Sequence, residues 1–340
     1  MKQRIVLIFA VVLGGLSIIG AGCSQINSSD VNHFDSGSKE KIKIAAAIFP
    51  LYDIAGIVAG DDAEVLLIAP PGASPHYFDP TPSLLKEMQG TDFIFKIGAG
   101  LDDWVEGLTS NIDGAEIVDI SKKVSLKKSV SPHLHKEGES VHAQEIEGSG
   151  HEEGGHKAHE HSEHGAHGHV HGDFDPHYWL DPMIAKDMAM YIAEKLAQSD
   201  GAHAGEYVQR ANMFAAELAK KDIEWKALVA ELVNKEIVTF HNAFMYFAEH
   251  FGLTIVATFE PFPGKEPTAQ YLAGLRDEID AHSISTLFLE PQMSKSSIES
   301  FAKDYDLSVG VLDPLGGING VESYIDIIEY NLRSIVGVNK

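Results

Sequence analysis

The 340-residue sequence contains a single cysteine and few basic residues. One cysteine cannot form an internal disulfide, and it excludes a metal or redox centre built from several thiolates. Only 26 lysines and arginines stand against 50 aspartates and glutamates, which gives a net charge of −24. We therefore expect no nucleic-acid partner, because binding a polyanion requires a basic surface. The composition favours a cationic ligand held by nitrogen and oxygen donors, and the chain has 18 histidines to supply them.

Length and polarity indicate an ordinary globular protein of about two domains. Apolar residues make up 44% of the chain and charged residues 22%. These values exclude wholesale disorder, and they exclude a protein with many membrane spans.

The amino terminus has the features of an export signal. Two basic residues precede an uncharged run over residues 5–22, which ends in small residues directly before Cys23. This ending resembles a bacterial lipobox, although Gly20 stands where leucine is usual. We predict a signal peptide over residues 1–22, lipidation of Cys23 and a flexible tether over residues 23–40. Plain cleavage and an uncleaved anchor are alternatives, and all three place the rest of the chain outside the cytoplasm.

Beyond residue 40, short apolar runs alternate with helical patterns, which is typical of βα units and parallel sheets. The predicted strands cover residues 42–49, 65–69, 93–97, 116–120, 236–240, 254–259, 284–289 and 308–312. The predicted helices include residues 51–59, 82–89, 101–109, 182–198, 205–233 and 321–335. Thr81-Pro82 and Asp181-Pro182 predict helix starts, because a capping oxygen precedes a proline, although such pairs also occur in turns.

The helix predicted over residues 205–233 is long enough to bridge two lobes, at roughly 40 Å. On this basis we expect an amino-terminal α/β lobe over residues 41–204 and a carboxy-terminal α/β lobe over residues 234–340. The first lobe contains a low-complexity stretch over residues 133–172, rich in His, Glu and Gly, which we expect to be disordered without a ligand.

Three histidines and two carboxylates outside that stretch are candidate ligands. His76, His241 and Asp313 closely follow predicted strands, and Glu290 ends one. Ligands of open parallel sheets bind beyond the carboxyl ends of the strands. Together with His177, these positions supply a tetrahedral set of three imidazoles and a carboxylate, which suits an ion like zinc. Each residue alone is equally consistent with a loop or turn position.

Five motifs give these residues a recognisable context. They are Gly-Ala-Ser-Pro-His76, Asp-Pro-His177-Tyr-Trp-Leu-Asp-Pro, Phe-His241-Asn-Ala-Phe, Phe-Leu-Glu290-Pro-Gln and Leu-Asp313-Pro-Leu-Gly-Gly. In combination they resemble the zinc-binding substrate receptors of bacterial ABC metal transporters, the high-affinity zinc uptake family, which is related to manganese receptors. The resemblance covers almost all of the chain from residue 41 onward.

The resemblance implies a fold and a function. It implies two parallel-sheet α/β lobes joined by one long rigid helix, with Zn²⁺ in the interlobe cleft on His76, His177 and His241. The fourth ligand in the family is a carboxylate, here matched by Asp313, or water. Zinc is then transported cargo, delivered to an ABC permease by a monomeric receptor that is not an enzyme and has no catalytic residues. Manganese relatives tend to carry Glu at the position of His241, which favours zinc, and a manganese or iron receptor is the alternative.

The low-complexity stretch holds 11 of the histidines. Six are closely spaced, namely His159, His161, His164, His167, His169 and His171. Because ordering a flexible segment costs on the order of 1 kcal/mol per residue, we expect several weak auxiliary metal sites and no single tight one. A solvated insertion with no role is the alternative.

Two other classes of function compete with a receptor. Three histidines and an open position also describe a secreted zinc hydrolase, but the sequence has no His-Glu-x-x-His helix and no nucleophile elbow. A zinc buffer acting through the low-complexity stretch alone is the second. Deleting that stretch would abolish binding by a buffer and leave one tight site in a receptor.

Overall fold

The strands form two parallel sheets of four strands each. The computed structural model describes residues 41–129 and 173–338, apart from residues 113, 262, 294 and 319. The first sheet contains β1 (Ile42–Ala46), β2 (Ala63–Leu67), β3 (Phe93–Lys96) and β4 (Glu116–Asp119), in the order β2-β1-β3-β4. The second contains β5 (Glu236–Thr239), β6 (Thr254–Thr258), β7 (Thr286–Leu289) and β8 (Ser308–Val311), in the order β6-β5-β7-β8. The predicted class, two parallel-sheet α/β lobes, is confirmed.

Both sheets have the same connectivity, and in each the strand order reverses between two central strands. The reversal falls between β1 and β3 in the first sheet and between β5 and β7 in the second. All residues of β3 and β7 are buried, as expected for strands covered on both faces. In open α/β sheets the crevice beyond the carboxyl ends at such a reversal is the usual place for a ligand.

Eight α-helices lie in the described ranges. They are α1 (Phe49–Ala59), α2 (Pro82–Glu87), α3 (Pro182–Ser199), α4 (Ala204–Ala230), α5 (Met245–Phe251), α6 (Ala269–Ala281), α7 (Lys295–Asp304) and α8 (Tyr324–Val338). Both predicted capping pairs start helices. Thr81 accepts a hydrogen bond from the Leu84 amide at the start of α2, and Asp181 accepts one from the Met183 amide at the start of α3.

The helix predicted over residues 101–109 is present, shifted by two residues, but it is not an α-helix. The chain forms a 3-10 helix at Asp103–Asn111 instead. This stretch includes Gly107, Thr109, Ser110 and Asn111, which are poor in an α-helix because of backbone entropy, β-branching or competing side-chain hydrogen bonds. Two shorter 3-10 helices cover Ile120–Lys123 and Tyr178–Leu180.

The long helix α4 packs against elements from both halves of the chain. It contacts α1 and α3 from the first half and α5 and α8 from the second. Its buried face contains Tyr207, Ala211, Phe214, Leu218, Trp225 and Val229. These side chains belong to a hydrophobic core that also takes residues from both halves of the chain, whereas a second core lies within the carboxy-terminal half alone. The exact lobe boundaries at residues 204, 205, 233 and 234 stay predictions.

Several predicted segments lie outside the described residues. These are the signal peptide over 1–22, the tether over 23–40 with Cys23, and the whole low-complexity stretch over residues 133–172. Within the described ranges, no helix combines the length and the apolar character that a membrane span requires.

Candidate metal centre

The three histidines singled out in the sequence meet at one point. His76 lies in the loop after β2, His177 directly precedes the 3-10 helix Tyr178–Leu180, and His241 lies just beyond the end of β5. One ring nitrogen from each histidine can be chosen so that all three lie within 4.8 Å of one another. Among the residues that the structure describes, this is the one group of histidine, cysteine or acidic side chains with such convergence.

The three imidazoles are buried and converge on one point, with their ring planes tilted against each other. Their ring centroids are separated by 5.5 Å for His76 and His177, 5.5 Å for His76 and His241, and 5.3 Å for His177 and His241. The Nε2 atoms of His177 and His241 are 3.5 Å apart. His76 is 9% exposed, and the other two are 3% exposed. The rings therefore enclose a small space that bulk water barely reaches.

Neighbouring aromatic residues hold the His177 segment in place. The Tyr178 hydroxyl donates to the Ile97 carbonyl oxygen (2.6 Å), just after β3. The Trp179 indole N–H donates to the Pro314 carbonyl oxygen (2.8 Å), just after β8. Both rings are fully buried. The segment is thus tied to both sheets, which fixes the histidine at their junction.

The loop that carries His76 is anchored from its own half of the chain. The Trp104 indole N–H donates to the Pro75 carbonyl oxygen at 2.9 Å. On the other side, the Thr239 hydroxyl donates to the His241 carbonyl oxygen at 2.9 Å. Each histidine therefore projects from backbone that is held by an adjacent side chain.

Carboxylates orient two of the imidazole rings. His177 Nδ1 lies 2.7 Å from Asp175 Oδ1, and His241 Nδ1 lies 2.5 Å from Glu290 Oε1. A carboxylate only accepts, so Nδ1 carries the proton in each ring and donates it. Nε2 then presents its lone pair to the shared space. Metal-ligating histidines commonly have this carboxylate partner, which raises ligand basicity and fixes the tautomer.

The distances fit a tetrahedral ion. Zinc binds imidazole nitrogen at about 2.0–2.1 Å, which places two nitrogens of a tetrahedron about 3.3 Å apart. The observed Nε2 separation of 3.5 Å for His177 and His241 is close to that value. The cavity that the three rings border has a volume of about 10 Å³, which is room for one ion or one water molecule. Its walls are Ser74, Pro75, His76, His177, Trp179, His241, Glu290, Gln292, Met293, Pro314 and Leu315.

Opposing effects act on the protonation of His241. Burial lowers the pKa of His241, whereas the charge and hydrogen bond of Glu290 raise it, and the net direction is upward from 6.5. A proton on Nε2 and a metal ion compete for the same lone pair. Glu290 therefore strengthens the nitrogen as a metal ligand and also as a base.

Asp313 is neither in the converging group nor among the residues that line the cavity, although Pro314 and Leu315 directly after it are. Its Oδ1 accepts hydrogen bonds from the Leu315 amide (3.0 Å), the Gly316 amide (2.9 Å) and the Gln292 side-chain amide (3.0 Å). Its own backbone amide donates to Asn331 Oδ1 at 2.7 Å. The structure brings the three predicted histidines together and gives the predicted fourth residue a set of hydrogen bonds instead.

The sequence reasoning missed two polar residues at this site. Asp175 bonds the His177 ring, and Gln292 contacts both Asp313 and the cavity. A carboxylate two residues before a candidate ligand was the available signal for Asp175. Glu290 was considered only as a strand-end carboxylate, and its 49-residue separation from His241 hides the pairing. The six auxiliary histidines from His159 to His171, and Cys23, lie outside the described residues.

The chain matches a known family over most of its length. The model of the family described as zinc-uptake complex component A, periplasmic, matches residues 44–338. The zinc-binding protein AdcA of Streptococcus pyogenes serotype M3 is 26% identical over 300 residues, which are 87% of this chain and 55% of that protein. This chain thus spans little more than half the length of that relative.

Two further comparisons agree. The high-affinity zinc uptake system protein ZnuA of Yersinia pestis is 28% identical over 288 residues, covering 84% of this chain and 87% of that protein. A crystal structure of ZnuA superimposes with a TM-score of 0.72 at 23% identity, covering 88% of this chain and 100% of that one. The fold is therefore shared with that structure, and the chain belongs to the zinc-uptake complex component A family.

Proposed function

We propose that the protein is an extracytoplasmic receptor that captures one Zn²⁺ ion and delivers it to an ABC permease for uptake. The observation that carries this proposal is the convergence of His76, His177 and His241 on one buried point. The relatives named zinc-binding protein and zinc uptake system protein support the choice of cargo. The protein binds and releases the ion, and no chemical step is assigned to it.

The donor set favours zinc over manganese. Imidazole nitrogen suits zinc, whereas manganese prefers carboxylate, carbonyl and water oxygens. The three converging donors are all imidazoles, and the carboxylates of Asp175 and Glu290 are hydrogen-bonded to the far side of two rings. We therefore infer a site in which zinc is preferred through ligand type and through the small tetrahedral space.

The rest of the proposal concerns parts of the chain outside the described residues. Lipidation of Cys23 would keep the receptor at the membrane face where the permease lies. The histidines from His159 to His171 would supply weak, exchangeable auxiliary sites, to which the net charge of −24 attracts cations. The receptor acts as a monomer in this proposal.

Calorimetric titration of the full chain with zinc and with manganese tests the function. One comparison variant combines His76→Ala, His177→Ala and His241→Ala, and a second lacks residues 133–172. We expect one tight zinc site that survives the deletion and is lost in the triple variant. The matched control is His203→Ala, which removes a histidine with a half-exposed side chain at the start of α4.

Each contrary result points to a different function. Tight binding that disappears with residues 133–172 and persists in the triple variant would make the protein a zinc buffer. A site tighter for manganese than for zinc would make it a manganese receptor. Loss of zinc binding in His203→Ala as well would show that the histidine substitutions act through the fold.

A further inference from the structure

The loop between β2 and α2 forms one wall of the cavity at the three histidines. Ser74, Pro75 and His76 of this loop line the cavity. Before these residues, Pro71 packs against Gly317 of the carboxy-terminal half, where an added Cβ would lie 3.0 Å from the proline ring. The loop therefore covers the site while it touches the opposite half of the chain.

A second contact with the carboxy-terminal half lies directly after His76 in this loop. The Tyr77 hydroxyl donates to the Pro263 carbonyl oxygen in the loop after β6. The Tyr77 ring also lies against Gly264, where a Cβ would be 2.7 Å from Tyr77 Cζ. Tyr77 is 54% exposed, so this contact is at the surface and outside the buried cavity. It joins the loop that carries His76 to a loop of the other sheet.

The loop that accepts this hydrogen bond is itself held beside His241. Glu260 Oε2 accepts a hydrogen bond from the Gly264 amide at 2.9 Å, which closes the turn that contains the acceptor. The Glu260 backbone amide donates to the Phe240 carbonyl oxygen at 2.8 Å, and Phe240 directly precedes His241. The acceptor is therefore tied to the strand end that carries His241.

Of the three histidines, His76 is the one whose loop can move away from the site. It is 9% exposed, against 3% for each of the other two. The hydrogen bond from the Trp104 indole N–H to the Pro75 carbonyl oxygen holds its loop to its own half of the chain. A small separation of the two halves would therefore carry His76 away from the other two histidines. The Tyr77–Pro263 hydrogen bond has to break for that to happen.

We propose that the Tyr77–Pro263 hydrogen bond is a latch that sets the rate at which the site takes up and releases its metal ion. The inference rests on the proposed function, because the ion that exchanges is the Zn²⁺ cargo. A contact that has to break before the ion passes in either direction raises the barrier to entry and to exit alike. Tyr77 is outside the group of converging ligand atoms, so the equilibrium affinity is set by the three imidazoles.

Stopped-flow fluorescence of the full chain measures both rates. The Trp179 ring centroid is 5.2 Å from that of His177, so its fluorescence responds to an ion at the site. Release starts when protein holding one equivalent of Zn²⁺ is mixed with excess chelator, and uptake starts when metal-free protein is mixed with Zn²⁺. In Tyr77→Phe we expect both rate constants to rise about 3- to 10-fold, which corresponds to the loss of one neutral hydrogen bond. The dissociation constant should stay within about threefold of wild type, because both rates change together.

Tyr271→Phe is the matched control. The Tyr271 hydroxyl donates to the Thr258 carbonyl oxygen at 2.9 Å, and both residues belong to the carboxy-terminal half, so both rates should stay at their wild-type values. Gly264→Ala displaces the Tyr77 hydroxyl from the other side and should also accelerate exchange. Combining it with Tyr77→Phe should add little, because both substitutions act on one contact. A cooperative thermal unfolding transition in each metal-free variant shows that it is folded.

Three results would overturn the latch while the zinc site remains. Equal exchange rates in wild type and Tyr77→Phe would show that the hydrogen bond does not control passage. Faster release with unchanged uptake would show that Tyr77 positions His76 in the bound site. Equal acceleration in Tyr271→Phe would make the effect a general loosening of the fold.

Failure of the proposed function gives a different result. In that case the wild-type protein has no zinc site that depends on His76, His177 and His241, and there is no exchange at this site to measure. The two failures are therefore distinguishable in one set of measurements.

Discussion

The Nε2 atoms of His177 and His241 face each other at 3.5 Å, while Nδ1 of each ring bonds a carboxylate on the opposite side. When both rings are neutral, the two facing lone pairs repel each other, and a proton or a metal ion between them removes the repulsion. The arrangement is held by Asp175 and Glu290, which fix the tautomers. The two carboxylates thus prepare a site for a positive ion before the ion arrives.

Removing the charge of either outer carboxylate should weaken zinc binding. Glu290→Gln and Asp175→Asn each keep an oxygen acceptor for Nδ1 but remove the negative charge behind the ring. We expect each to lower zinc affinity about 10- to 100-fold, because the imidazole becomes a poorer donor. Competition titration against a chromophoric chelator would measure this. Glu278→Gln is the matched control, because Glu278 of α6 also lies beside a histidine ring, 3.5 Å from His282 Nε2, but away from the three histidines. An equal loss there would contradict the argument.

The affinity for zinc should fall with decreasing pH, and Glu290 should set the range. Burial lowers the pKa of His241, but the charge and hydrogen bond of Glu290, with smaller effects of Glu260 and Asp175, raise it, and the net direction is upward from 6.5. A protonated imidazole cannot bind zinc, so affinity should begin to decline as the pH falls toward and below that raised pKa. In Glu290→Gln the largest raising effect is gone, only the weaker ones of Glu260 and Asp175 remain, and burial still lowers the pKa, so the decline should begin at lower pH. Dissociation constants measured from pH 5 to 8 would decide, and coincident profiles would refute this account.

His250 should stabilise the fold in a pH-dependent way. Its Nδ1 lies 3.0 Å from Asp181 Oδ1 and its Nε2 lies 2.6 Å from Asp222 Oδ1, so α5 is joined to the start of α3 and to α4. Both nitrogens donate only when the ring is protonated. Burial lowers the pKa of His250, but the two carboxylates raise it by more, so the net direction is upward from 6.5. The same contacts lower the pKa values of Asp181 and Asp222.

The sign of that dependence follows from linkage. A raised histidine pKa contributes stability that is complete below about 6.5 and is lost as the pH rises through the folded value. The lowered carboxylate pKa values contribute stability that is lost as the pH falls below about 4. His250→Gln should therefore reduce the free energy of unfolding by about 2 kcal/mol at pH 5.5 and by less at pH 8.5.

Urea denaturation at the two pH values measures this difference. Lys226→Gln is the control, because it removes a more exposed partner of Asp222 and should cost under about 1 kcal/mol. An equal loss for His250→Gln at both pH values would show that packing of the ring against Phe251 is what matters.

Gly264 should be intolerant of a side chain. Its φ is +71°, and a Cβ there would lie 2.7 Å from Tyr77 Cζ. The Tyr77 hydroxyl donates to the Pro263 carbonyl oxygen, so the loop after β2 contacts the loop after β6 at this point. Gly264→Ala should destabilise the protein by about 1–3 kcal/mol, from backbone strain and from displacement of the Tyr77 hydroxyl from its hydrogen bond.

Gly252 provides a matched control. Its φ is +67°, but nothing lies within 4 Å of a Cβ at that position. Gly252→Ala should therefore cost only the backbone strain, about 1 kcal/mol. Thermal unfolding would compare the two glycine variants. Adding Tyr77→Ala to Gly264→Ala should remove the part of the destabilisation that exceeds the loss in Gly252→Ala. Equal losses for the two glycine variants would exclude a role for the tyrosine.

Local patterns were sufficient for most of the secondary structure. The Asp181-Pro182 pair marks the start of α3 because the capping oxygen, the proline and the helix are adjacent in the chain. Strand prediction succeeded for a similar reason, since buried parallel strands are short apolar runs. At Asp103–Asn111 the sequence predicted a helix but not its 3-10 type, which the poor α-helix formers in this stretch favour.

The sequence by itself determined which imidazoles stand beyond strand ends, the scarcity of competing thiolates and the strongly acidic charge. Tertiary structure alone decided that Glu290 bonds the ring of His241, 49 residues away. It also decided that the Gln292 side-chain amide donates to Asp313, 21 residues away. The reason is physical. Caps and periodicity depend on neighbours in the chain, whereas these pairs depend on how loops from different strands come together. Trp179, bonded to the Pro314 carbonyl oxygen, is one of the contacts that bring them there.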